Sequence, residues 1–366
     1  MKLNVSPDLS LPLDVASQAV AVLGIRGAGK TNTATVIAEE LLSKGQPMVY
    51  IDPTDAAWGL RSDFPVFIFG GTHGDLPLQE TDGKTLAEFV VTEQVPVILS
   101  LRHLRKNAQR RFVTDFCEEI YHLKGKPENR TPLTVFIDEA PLFVPQKVMG
   151  DNARTVGAVE DLIARGRNAG FGVVLISQRS ATINKDVLTQ CDTIITHRLT
   201  SPQDRKALSD WIEENATIEK QKEVLQSLAT MPNGRAWVWS PRLDVMKQVQ
   251  IRLRKTFDSS ATPKRGETPP KPKRLEDIDL GKLKGKLAAA IEQAERDDPR
   301  RLRAENAELR IKCADLERRS EPVADPLVVE SAHRKGKIAG YAEAINALQP
   351  MVDRMQTLRT ALARPT

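Results

Sequence analysis

The sequence has no apolar run approaching the ~20 residues that a membrane-spanning helix needs, so no membrane span is expected. Cysteine is scarce. Cys117, Cys191 and Cys313 lie far apart, which excludes both a disulfide framework and the close spacing of a thiolate metal site, and fits a reducing cytoplasm. The five histidines are scattered, so no structural zinc is expected. Met1 to Ser17 holds one Lys and two Asp and lacks the layout of a signal peptide. A broad basic field is also missing. Residues 256–366 carry 22 Lys+Arg against 18 Asp+Glu, so only +1 of the net +5 falls to residues 1–255. Any contact with nucleic acid in that part must come from local patches.

What the chain does have is a glycine loop. Gly24-Ile25-Arg26-Gly27-Ala28-Gly29-Lys30-Thr31 fits the pattern G-x-x-x-x-G-K-[ST]. It follows the apolar run Ala19 to Leu23, which reads as a buried strand, and precedes a helical pattern from Asn32 to Ser43. Glycines let such a loop curl until its N–H groups, those of Gly24, Gly27, Ala28 and Gly29 among them, point at phosphate oxygens. The helix start at Lys30, Thr31 and Asn32 adds partial positive charge. Lys30 would reach the β- and γ-phosphates of ATP, and the Thr31 hydroxyl would ligate Mg²⁺.

Further strands are expected at Pro47 to Asp52, Val66 to Phe69, Val95 to Leu101, Leu133 to Asp138, Phe171 to Ser177 and Thr193 to His197. Two late β segments follow, Ala236 to Trp239 and Val245 to Ile251. Helices are expected at Gly83 to Glu93, Lys106 to Lys124, Ala153 to Asn168, Pro202 to Asn215 and Ile218 to Ala229. Alternating strands and helices predict an α/β fold, with a mostly parallel sheet covered on both faces.

Hydrolysis of a nucleotide needs a carboxylate on the metal side and a base. Asp138 closes the apolar strand LTVFID and suits the metal; Glu139 follows at the strand end, placed to take a proton from water. Gln178 ends another strand at the same edge and either orients that water or only terminates the strand. Asp52 either faces the site or caps a turn before Pro53. Arg165 and Arg167 flank Gly166; either reaches a neighbouring subunit's nucleotide, or both are cations favoured at a helix C-terminus. Local basic residues that could meet DNA phosphates are the run Arg102 to Arg111, Lys147 and Arg154 after the Asp138–Glu139 strand, and Arg179 and Lys185 after the next strand.

Residues 15–252 resemble the HerA/FtsK group of hexameric DNA-translocating ATPases, HerA above all. The resemblance is carried by GIRGAGKT (24–31), YIDP (50–53), TVFIDEAPLFVP (134–145), ARGRNAGFGVVLISQRS (164–180), VLTQCDTIITHRLTSPQD (187–204) and NGRAWVW (233–239). It implies a RecA-like P-loop core, a ring of six and nucleotide bound between subunits. It assigns phosphate binding to Lys30 and Thr31, metal to Asp138, catalysis to Glu139, γ-phosphate sensing to Gln178 and a finger in trans to Arg165 or Arg167. The expected function is an ATP-driven DNA translocase or helicase. Two alternatives are an ATP-dependent assembly switch without translocation and a coupling ATPase for conjugation or packaging. Cellular relatives carry an N-terminal β-barrel that helps dock a nuclease; here Met1 to Gln18 precede the first expected strand.

The composition changes near Thr256. Residues 258–274 are rich in Pro, Ser, Gly and Lys and read as a linker. Beyond it, Leu302, Leu309 and Leu316 recur every seven residues, with Asn306 and Cys313 at the other seam position, a short coiled-coil signal. Pro322 and Pro326 break it, and Pro326 to Ala363 is a last helical stretch. The expected division is an ATPase domain over 1–255, a linker over 256–274 and a helical tail over 275–366 that recruits a partner protein, a nuclease or another effector.

Overall fold

The computed structural model describes residues 2–150, 152–213, 217–260, 285, 307–313 and 326–362. They fall into two units, Met1–Glu295 and Arg296–Thr366.

The first unit is built on a nine-stranded sheet. Its strands are β3 (Ala19–Leu23), β4 (Met48–Asp52), β5 (Phe67–Gly70), β6 (Val97–Ser100), β7 (Leu133–Ile137), β8 (Phe171–Ser177), β9 (Thr193–Thr196), β10 (Arg235–Ser240) and β11 (Val245–Gln250). They lie in the order β11-β10-β9-β3-β8-β7-β4-β6-β5. From β9 to β5 every pairing is parallel. Only β10 and β11 are antiparallel, as a closing hairpin on the β9 edge. All residues of β3, β4, β7 and β8 are buried, and this two-sided burial is why those stretches read as unbroken apolar runs rather than as alternation.

Helices cover both faces. α1 (Lys30–Leu42) packs with Val20, Val22, Tyr50 and Phe136 on one face. On the other, α2 (Gly83–Glu93), α3 (Lys106–Lys124), α4 (Ala153–Arg165) and α6 (Pro202–Glu213) cover Ala21, Leu23, Ile51, Ile137 and Leu175. Two short helices complete the set, α5 (Lys185–Thr189) and α7 (Ile218–Ser227). α4 ends at Arg165, short of the expected Asn168, and passes into a 3-10 turn over Gly166–Ala169. A side chain at Gly166 would stand 2.9 Å from Phe171 Cβ, so the tight turn onto β8 needs glycine there.

Two features were not expected. The first is a hairpin of β1 (Lys2–Ser6) and β2 (Leu9–Pro12) ahead of β3. Leu3, Val5 and Leu11 are buried in the same cluster as α1, and the Asn4 N–H donates to Glu40 at 2.9 Å.

The second is a strap after β11, residues 252–260, which crosses α1 and the 54–62 segment. Arg252 donates to Glu39 at 2.6 Å and to Glu40 at 3.1 Å. The N–H groups of Lys255 and Thr256 and the Thr256 hydroxyl all donate to Glu39 Oε1. Phe257 packs on Trp58, and Ser259 Oγ donates to the Ala56 carbonyl. The boundary expected at 255/256 therefore cuts through a packed segment, and the residues expected to open the linker, Asp258 to Ser260, belong to this strap.

In the second unit, α8 (Pro326–Leu362) is a single helix with Pro350 inside it. Ile338, Tyr341, Ile345, Leu348, Val352 and Met355 are exposed along it. Of the expected heptad residues, Leu309 and Cys313 are helical and exposed; Leu302, Asn306 and Leu316 lie outside the described residues. Cys117 and Cys191 are buried free thiols, pushed up to about 12 by desolvation. No described helix is long and apolar enough to cross a membrane.

Candidate functional site

The loop from Gly24 to Gly29 leaves β3 at the C-terminal edge of the parallel strands and enters α1 at Lys30. Gly27 (φ 76°) and Gly29 (φ 120°) occupy backbone conformations that side chains disfavour, so these two glycines make the curl. Lys30 is buried and its Nζ donates to the Ile25 carbonyl at 3.1 Å, spanning the loop mouth. Burial lowers its pKa, opposed by the charges of Glu139 and Asp138. The first turn of α1 is half-buried at Thr31, whose hydroxyl makes no hydrogen bond among the described residues.

Strand order brings the rest together. β8 lies between β3 and β7, with Leu23 opposite Ser177 and Ile137 opposite Leu175. Asp138, Glu139 and Gln178 thus emerge beside the glycine loop. Gln178 Nε2 donates to Glu139 Oε1. Glu139 itself is held in the left-handed region (φ 46°, ψ 48°), a strained conformation for a non-glycine residue of the kind that collects at active sites. Its N–H donates to Asp138 Oδ1 at 2.9 Å. Asp138 is pushed up to about 7, first by burial and then by the neighbouring Asp52 charge. Asp52, Asp138 and Glu139 outnumber the one buried cation, Lys30, so the site has an excess of negative charge that a divalent cation would offset. Among the described residues no cluster of His, Cys, Asp or Glu forms a full ligand cage. Mg²⁺ beside a nucleotide takes one or two protein oxygens together with water and substrate phosphates. Asp138 and Thr31 fit that role.

Several expected site residues are engaged elsewhere. Asp52 is spent on its own loop: it accepts from the Thr54 N–H and hydroxyl and from the N–H groups of Ala56 and Ala57, at 2.7–2.9 Å. It is a turn organiser, and its influence on the site is through charge. The Asn32 side chain faces the strap and not the phosphate cradle, donating to the Arg252 carbonyl at 2.7 Å and accepting from the Arg254 N–H at 2.9 Å. Arg154 lies in the first turn of α4 instead of a loop and is paired with Glu118 and Asp115 of α3, which neutralises it as a phosphate contact. Arg179 is exposed and pairs with Asp204 at 3.8 Å. Lys147, on a loop, and Lys185, the first residue of α5, are exposed on two segments that the Pro145–Ile183 bridge joins at the same edge of the sheet.

Arg165 and Arg167 lie at the other edge. They precede β8, and Arg167 lines a cavity of about 260 Å³ with Gln18 and Ala19 at the start of β3. Arg165 is exposed and pairs with Asp161. Neither is near the glycine loop of its own chain.

Sequence reasoning missed the groups behind the loop. His197 stands just past β9, its ring nitrogens 2.8 Å from Thr33 Oγ1 and from the Arg235 carbonyl. The Gly234 N–H donates to the Ala28 carbonyl, and the Ile25 N–H to the Arg198 carbonyl, both at 2.9 Å. Nothing local marks His197; it reads as the last residue of a strand.

A glycine loop between a buried strand and a helix, an acidic strand two places away, and a polar strand end interposed between them define a RecA-like P-loop NTPase. The model of the family described as "Helicase HerA, central domain" matches residues 4–56, from the hairpin to the end of the second core strand. The chain is 25% identical over 180 residues to the DNA double-strand break repair helicase HerA of Pyrococcus furiosus, covering 48% of this chain and 31% of that protein. It is 26% identical over 184 residues to the probable DNA double-strand break repair helicase HerA of Methanocaldococcus jannaschii, covering 48% and 34%. The matched stretch spans about a third of the length of these relatives. Among solved structures, the genome packaging NTPase B204 of Sulfolobus turreted icosahedral virus 2 aligns with a TM-score of 0.47 at 15% identity, over 65% of this chain and 98% of that one. Over these matched stretches, which include the glycine loop, the chain is similar to HerA-type helicases.

Proposed function

We propose that this chain is a cytoplasmic, Mg²⁺-dependent ATPase that assembles as a ring, a hexamer, and moves DNA. The observation that carries this reading is the split of the catalytic groups between two edges of the sheet. Lys30, Asp138, Glu139 and Gln178 converge at one edge. Arg165 and Arg167, which the resemblance marks as the finger, stand at the other, so as fingers they would serve the site of a neighbouring copy.

In this reading the loop N–H groups and Lys30 hold the phosphates of ATP. Mg²⁺, held by Thr31 and Asp138, would neutralise charge on the β- and γ-oxygens. Glu139 accepts the proton of the attacking water, and Gln178, bonded to it, fixes the carboxylate's direction and senses the γ-phosphate. Lys147 and Lys185 contact DNA phosphates without regard to sequence. The exposed apolar residues of α8 are the surface offered to a partner protein. The HerA relatives, named as DNA repair helicases, support the DNA substrate.

The test is ATP hydrolysis with no DNA, duplex DNA and single-stranded DNA at two salt concentrations, followed by displacement of a triplex-forming strand from a duplex track. Stimulation that fades with salt and ATP-dependent displacement are expected. Hydrolysis indifferent to both DNA forms would sink the motor reading and leave an ATP-driven switch.

A further inference from the structure

We propose that His197 is a positioning residue for ATP binding: a neutral ring wedged behind the phosphate loop that sets the loop's shape. This rests on the reading of that loop as the nucleotide site. His197 is fully buried. A side-chain carbon at Gly24 would stand 2.7 Å from His197 Cβ, and one at Gly29 would stand 3.0 Å from its Cε1 and 3.2 Å from its Nδ1. The first and last glycines of the motif are therefore the two that press against this one residue. The requirement for glycine there comes from the histidine as well as from the phosphates.

Its hydrogen bonds fix the tautomer. The Arg235 carbonyl can only accept, so Nδ1 carries the proton and donates to it. Nε2 is then an acceptor, and the Thr33 hydroxyl donates to it. The backbone N–H of His197 donates to the Leu23 carbonyl at 2.8 Å, the last residue before the loop. One ring thus joins β9, the start of β10 and the first turns of α1, with the glycine loop folded over it.

The loop's job is to aim N–H groups at a point outside itself. A loop with glycine at three of its six positions has little side-chain packing to hold that aim, so support from behind matters. His197 supplies it without touching the nucleotide. Its removal should weaken ground-state and transition-state binding together, which is a change in KM rather than kcat.

The experiment measures kcat and KM for ATP in His197→Asn, His197→Gln, Thr33→Val and Thr33→Ser, with thermal unfolding alongside. His197→Asn keeps a donor for the Arg235 carbonyl and loses both the ring and the acceptor for Thr33. Its KM should rise about tenfold while kcat falls by no more than about twofold. His197→Gln returns an acceptor near Thr33 and should recover part of that loss. Thr33→Val should raise KM about threefold in the wild type and add nothing in His197→Asn, because the bond it removes is already gone. Thr33→Ser keeps the hydroxyl and should match wild type; this pair decides the matter even if His197→Asn fails to fold. A purely structural histidine would lower the unfolding temperature and the active fraction and leave KM unchanged. Unchanged KM in both His197→Asn and Thr33→Val, with the wild type binding ATP, overturns the proposal alone. Failure of the wild type to bind ATP overturns it together with the nucleotide reading.

Discussion

At the scale of residues, Lys30 and Glu139 divide binding from hydrolysis. Lys30→Ala removes the buried cation that spans the loop mouth and should abolish ATP binding in a filter or fluorescence assay. Glu139→Gln keeps shape and the contact with Gln178 but cannot accept a proton. It should bind ATP as wild type does and lose turnover by ~10²–10⁴-fold; normal turnover would remove Glu139 from the chemistry. His197 adds a pH signature. Burial holds its pKa down at about 4, against 6.5 for a free imidazole. Between those values the unfolded chain takes up the proton more readily. This contribution to stability is therefore complete above roughly pH 6.5 and is lost as pH falls towards 4. Asp138, raised to about 7, runs the opposite way, losing stability as pH rises towards 7. Comparing wild type with His197→Asn cancels that term. From pH 7 to pH 5 the wild type should lose about 2 kcal/mol more than the variant in urea unfolding. These residues were unevenly legible in the sequence. Lys30, Asp138 and Glu139 declare themselves because motif and strand end coincide. Asp52 stayed between two readings, and the direction of the Asn32 side chain was not legible, because a side chain next to a motif has more than one direction to point. His197 was invisible because its role depends on which strand lies beside β3, and no local pattern encodes that.

At the scale of elements, the strap is the test case. Glu39 is 3% exposed and takes three hydrogen bonds from Lys255 and Thr256, besides the ion pair with Arg252. A chain ending at Lys255 loses two of those bonds, the packing of Phe257 on Trp58, and Ser259. Hydrogen bonds to a charged partner are worth ~1.5–3 kcal/mol each, so a loss of about 3 kcal/mol is expected. For a domain of this size that lowers the unfolding midpoint by roughly 6–12 °C. A chain ending at Ser260 should melt within about 2 °C of full length. Equal melting of the two truncations in a thermal scan would show that the strap holds nothing. Core strands and helices were readable because two-sided burial writes itself as apolar runs and as helical period. The strap and the β1–β2 hairpin were not: one has no periodicity at all, and the other is too short for its alternation to stand out. Both are fixed by Glu39 and Glu40 of α1, which in the sequence are an ordinary acidic pair.

At the scale of the whole molecule, the finger must come from another copy if Arg165 or Arg167 is catalytic. Arg165→Ala or Arg167→Ala should then bind ATP normally and hydrolyse it poorly. Mixing the affected variant with Lys30→Ala should restore part of the activity, since some interfaces pair an intact loop with an intact arginine. Native mass spectrometry must show mixed rings for the result to count. Mixed rings without rescue would make both arginines structural.

The strap also has a mechanical consequence. Among the described residues the strap ends at Ser260, and the groups that grip its end are Ser259, Phe257 and Thr256, on the 54–62 segment and on Glu39 of α1. Tension on anything attached beyond Ser260 would peel these contacts in that order and reach Asn32, next to Thr31, before it loaded a single strand of the sheet. The helix that follows the glycine loop would therefore be loaded before any strand of the sheet.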